Sequence, residues 1–153
     1  MPSEKTINEE LAVFEAQISK ASDSTYGTLI AHLYVEHLLD RYLKTKIQNE
    51  PELFGENGLS FSNKLKLVKG LGNFNLELLD SLSKLNLIRN NCAHKFGYQI
   101  TDKEVANLKN ALGKNYKRIL REYPEAEVGA IAPIVWNICG QFLAVTLEAE
   151  SNA

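Results

Sequence analysis

From Val128 to Leu147 the chain runs for twenty residues without a charged side chain. A stretch that apolar must leave water, either into a bilayer or into a protein core or interface. Asn137, Gly140, Gln141 and Thr146 interrupt it, and Glu residues flank both ends where a membrane helix would carry Lys or Arg. The expectation is a buried core or dimerisation helix over about Glu127 to Glu148. Pro133 should either delay its start or kink it. Ile131, Ile134, Val135, Ile138, Phe142 and Val145 exceed what one face of a peripheral helix carries, so a homodimer is expected.

Upstream the same helical period recurs, and no run alternates in the manner of a strand. One helix is predicted over Ile7 to Ala21, and a second from Tyr26 to about Gln48, capped within Ser22–Thr25. Ser60 or Ser62 caps a short helix through Lys64 to Lys69, and Asn75 caps another from Leu76 to His94 or Lys95. Thr101 with Glu104 forms a capping box, opening a helix that should reach Tyr123. The result is an all-α, up-and-down bundle of about five to six helices. With 153 residues, 44% hydrophobic and 24% charged, residues 1–153 make one globular domain.

The net charge of -2 hides a division. Residues 1–40 carry seven acidic and two basic side chains, residues 41–121 seven acidic and fifteen basic, and residues 122–153 five acidic and none basic. That balance excludes coating nucleic acid by bulk attraction and leaves room for a local phosphate-binding surface. Cys92 and Cys139 give no disulfide framework, and the start has no basic-then-apolar signal pattern, so a cytoplasmic setting is expected.

Familiar chemical signatures are missing. Gly70-Leu71-Gly72 is too short for a dinucleotide fingerprint, no Walker-type loop occurs, and no serine sits in a nucleophile elbow. His32 and His37 are five apart, about 140° round a helix, and do not converge on a metal. No metal and no cofactor are expected.

On the helix Leu76–His94, Leu78, Leu82, Leu85 and Ala93 form an apolar stripe with Arg89 in its middle. A guanidinium there needs a partner. Asn86, Asn90 and His94 recur every four residues on an adjoining polar face. On the preceding long helix, Glu36 and Asp40 lie within the sector of Leu29, Leu33, Leu43 and Ile47, which makes Glu36 the expected partner of Arg89. Periodicity alone leaves two roles open: a structural bridge with His94 capping the helix end, or a functional cluster.

The run Leu85-Asn86-Leu87-Ile88-Arg89-Asn90-Asn91-Cys92-Ala93-His94 resembles the signature of the HEPN superfamily, Arg then a polar residue then His four to six positions on. It is similar to uncharacterised prokaryotic HEPN-like proteins and, more remotely, to the mannitol operon repressor group. The resemblance spans roughly residues 26 to 123 through the order of helices. It implies an up-and-down bundle, commonly dimeric, in which Arg and His of two protomers meet and cleave RNA without metal. Carried onto this chain it makes Arg89, Asn90 and His94 the catalytic set, supported by Glu36 and Asn86. It further implies an RNA substrate, and an antitoxin or nucleotidyltransferase partner in a toxin or phage-defence setting. The alternative is a non-catalytic regulatory or nucleotide- or phosphate-binding module of the same fold.

Overall fold

A computed structural model describes residues 3–18, 24–72, 74–122 and 131–153. Among the described residues there is no strand, and the elements in chain order are α1 (Glu4–Ile18), α2 (Ser24–Lys44), a 3-10 turn (Pro51–Leu53), α3 (Phe61–Gly70), α4 (Leu76–His94), α5 (Asp102–Leu112), α6 (Lys114–Glu122) and α7 (Ile131–Ser151). The chain is an all-α bundle.

α2 and α7 form its centre. α2 also packs against α1, α3 and α4, which accounts for apolar residues nearly all round it. Ala31, Val35, Leu38, Leu39 and Leu43 are fully buried on α2, and Ile134, Ile138, Cys139, Phe142 and Leu143 on α7. By length and composition α7 could cross a membrane, but half of its most apolar window is buried inside the bundle. Its internal polar groups are satisfied locally. Thr146 Oγ1 donates to the Phe142 carbonyl at 2.9 Å, and Gln141 Nε2 donates to Asn137 Oδ1. Pro133 lies in the first turn, where a helix has no use for the missing N–H.

Local capping explains most of the boundaries. Ser60 Oγ accepts from Asn63 N, Asn75 Oδ1 from Leu78 N, and the Thr101–Glu104 box is complete in both directions. α1 starts earlier than expected because Ser3 Oγ accepts from Thr6 N at 3.2 Å. α2 stops at Lys44, short of Gln48, where Thr45 Oγ1 turns back onto the Tyr42 carbonyl at 2.7 Å. The expected ends at Ala21 and Tyr123, the start at Glu127 and part of the Ser22–Thr25 cap lie outside the described residues.

One expected helix is two. The segment after Thr101 breaks at Gly113, whose φ of 53° no helix accommodates, so seven helices replace the expected five to six. A Cβ at Gly113 would also stand 2.8 Å from Glu77 Oε1, so a larger residue there would have to displace the tip of that side chain.

Candidate anion-binding cleft

Asn86, Arg89 and Asn90 on α4 open onto a cleft of about 220 Å³ bounded by α2, the start of α3 and the C-terminal half of α4. Its walls include His32, Glu36, Ser62, Asn86, Arg89 and Asn90. Helix direction orders them. His32 Nε2 and Asn86 Oδ1 are 2.9 Å apart, while Thr25 shares a second cavity, of about 510 Å³, with Cys92 and Lys95, so α2 and α4 run antiparallel. Phe61 packs tilted against His32 at 4.3 Å between ring centroids, and Lys64 reaches Glu36 and Asp40, so α3 runs parallel to α2.

The cleft is therefore bipolar. The N-terminus of α3 points toward the end occupied by Arg89, and Glu36 lies at the opposite end. Arg89 is three residues past Asn86 on α4 and Glu36 four past His32 on α2, so the two are separated by about 10 Å along the helix axes. Within the chain the expected Arg89–Glu36 pair does not form. Glu36 is held by Lys64 Nζ at 3.4 Å, and the same ammonium lies 2.7 Å from Asp40 Oδ1. That second contact is an ion pair without hydrogen-bond alignment, since Asp40 Oδ1 has no aligned donor. Lys64 is 3% exposed and supplies the cation that α2 needed.

Arg89 is left with its guanidinium toward the cleft. Among the described residues its side chain donates from Nη1 to Asn90 Oδ1 at 3.0 Å, and no carboxylate lies within salt-bridge distance. It is half-buried, as are Asn86 and Asn90. Ser60 takes the Asn63 and Lys64 amides of α3 with its hydroxyl and carbonyl, which leaves the Phe61 and Ser62 amides without an intrahelical acceptor. A fixed cation, side-chain amides and a helix N-terminus are the components of an anion site.

His94 is elsewhere. It is exposed at the last position of α4 and lines neither cavity, so a single chain brings together Arg89, Asn90, Glu36 and Asn86 but not His94. Ala93 is exposed too, so the apolar stripe ends at Ile88. The end of α4 is secured by Asn91, whose Nδ2 donates to Glu104 Oε1 at 2.7 Å while the other carboxylate oxygen closes the α5 capping box.

The imidazole inside the cleft is His32, 1% exposed. Asn86 Nδ2 lies 3.4 Å from Ser62 Oγ with Oδ1 facing His32, an orientation that assigns the ring proton to Nε2. Burial, first, and the nearby Arg89 charge push its pKa below 6.5, against the raising influence of Asn86 and Glu36. His32 is thus neutral at pH 7. Its Nδ1 carries a lone pair with no partner. In the sequence His32 stands out only as a candidate metal ligand. Its place on the Thr28–Ala31–Val35 buried face of α2 was the signal for a core imidazole, and Lys64 between Phe61 and Leu65 was the equivalent signal for a buried cation.

Among the described residues no three His, Cys, Asp or Glu side chains converge to hold a metal ion. No protein-family model, no curated protein and no solved structure matches the chain.

Proposed function

We propose that the chain is a metal-independent endoribonuclease of the HEPN type that acts as a dimer, in a toxin or phage-defence setting in the cytoplasm. The observation that carries this reading is Arg89: a guanidinium without a carboxylate, opening on a cleft beside a helix N-terminus. Arg89 and Asn90 hold the scissile phosphate. The RNA 2′-hydroxyl attacks that phosphate and the 5′-oxygen leaves, giving a 2′,3′-cyclic phosphate and a free 5′-hydroxyl. Arg89 stabilises the charge that builds on the phosphorane oxygens. His94 moves the proton, and because it stands outside its own chain's cleft the site is completed by the partner subunit's His94 across a two-fold axis.

The test is incubation of purified protein with total RNA, beside His94→Ala and Arg89→Ala. His94→Ala should fold normally and lose about two to four orders of magnitude in cleavage. Activity should persist in EDTA, an otherwise identical DNA strand should resist, and the fragments should carry cyclic phosphate ends. RNA left intact across pH and salt favours the second reading, a non-catalytic phosphate-binding or regulatory module. The position of His94 outside the Arg89 cleft is the observation on that side.

A further inference from the structure

The unpartnered Nδ1 of His32 is the least explained polar atom in the cleft. It belongs to His32, which is 1% exposed and lines the cavity, and it is an acceptor in the tautomer that pairs Nε2–H with Asn86 Oδ1. A buried acceptor left without a donor is costly, and what satisfies it must bring an O–H or N–H. The anion-binding groups lie close by. Arg89 is three residues beyond Asn86, about 4.5 Å along α4, and the amides of Phe61 and Ser62 open α3, with the Phe61 ring tilted against the imidazole itself.

We propose that the cleft takes a phosphate ester with a hydroxyl on the neighbouring carbon, the phosphate bound by Arg89 and the α3 N-terminus and the hydroxyl donating to His32 Nδ1. The 3′-phosphorylated end of a ribonucleotide has this arrangement. His32 then distinguishes ribose from deoxyribose and positions the sugar, while Lys64, shared between Glu36 and Asp40, offsets part of the negative charge at the far end of the cleft. A volume of about 220 Å³ is below the ~300–1,000 Å³ of sites that enclose a whole ligand, so it suits the phosphate and sugar with the base outside. The inference rests on the cleft being a phosphate site, and does not require that the chain cleave RNA.

Calorimetric titration with adenosine 3′-monophosphate and with 2′-deoxyadenosine 3′-monophosphate tests it. The ribonucleotide should bind about tenfold or more tighter, the gain from satisfying one buried acceptor. His32→Phe, which keeps a ring packed against Phe61 but lacks Nδ1, should bind both equally. In the parent protein, ¹⁵N resonances should show His32 protonated at Nε2, with the Nδ1 signal moving on addition of the ribonucleotide and not of the deoxynucleotide; this reading stands if the variant fails to fold. Equal binding of the two nucleotides, lost in Arg89→Ala, overturns the role of His32 and keeps the phosphate site. Binding of neither overturns both. Ribose preference in a protein that leaves RNA intact supports this proposal and removes only the nuclease.

Discussion

Lys64 carries the charge compensation that Arg89 would otherwise supply, and truncation should cost far more at Lys64 than at Arg89. Lys64→Met leaves Glu36 and Asp40 facing each other at 32% and 23% exposure. The loss in urea denaturation should be roughly 2–4 kcal/mol, less than the 3–5 of a fully buried pair because both carboxylates keep some solvent. Arg89→Ala breaks no ion pair and should cost about 1 kcal/mol or less. His32 makes stability depend on pH. Its folded pKa lies below the unfolded value of 6.5, so as pH falls the unfolded chain takes up the proton first. The contribution is complete above pH 6.5 and declines as pH falls from there toward the folded value. Urea midpoints measured at pH 7.5 and pH 5.5 should differ in that direction, and His32→Phe should reduce the difference.

At the scale of elements, α5 and α6 show how a single residue divides a helix. Gly113→Ala must adopt a positive φ and approach the Glu77 carboxylate, which also accepts from Asn115 Nδ2 at 3.3 Å. Destabilisation of about 1–3 kcal/mol is expected by chemical denaturation, the cost of a strained backbone position. Replacing Gly70, around which a Cβ meets nothing within 4 Å, serves as the control. At the other end of α5, Thr101→Ala removes the hydroxyl of the capping box and should cost about 1 kcal/mol. Loss of the carboxylate in Glu104→Ala reaches further, because the same group grips Asn91 and so steadies the end of α4 that carries His94.

Across the whole molecule, the helices of both chain ends are tied to α2 by one guanidinium. Arg41 donates to Glu150 through Nε and Nη2 at 2.8 and 2.7 Å, and to Glu10 through Nη1 at 3.0 Å. Hydrogen bonding to Arg41 holds the Glu150 carboxyl below 4.5, so this stabilisation is present above that value and should fade in acid melts as pH falls below it. The proposed dimer has its own surface to find, since α7 turns its large apolar side chains inward. Leu33 and Leu87, 60% and 56% exposed, each follow a cleft residue in sequence. Light scattering at tens of micromolar should report a dimer that Leu33→Glu with Leu87→Glu dissociates at unchanged circular dichroism; a parent monomer removes the shared-cleft mechanism. The sequence by itself determined the all-α class, the caps at Ser60, Asn75 and Thr101, and the burial of the charge-free segment in α7. Those depend on helical period and on hydrogen bonds spanning three or four residues, both of which are written locally. Only the tertiary structure decided that Lys64 and not Arg89 meets Glu36, that His32 and not His94 enters the Arg89 cleft, and that Gly113 bends under Glu77. Each depends on which helices run parallel, how far they are staggered and which faces meet, and residue spacing along one helix carries no record of these.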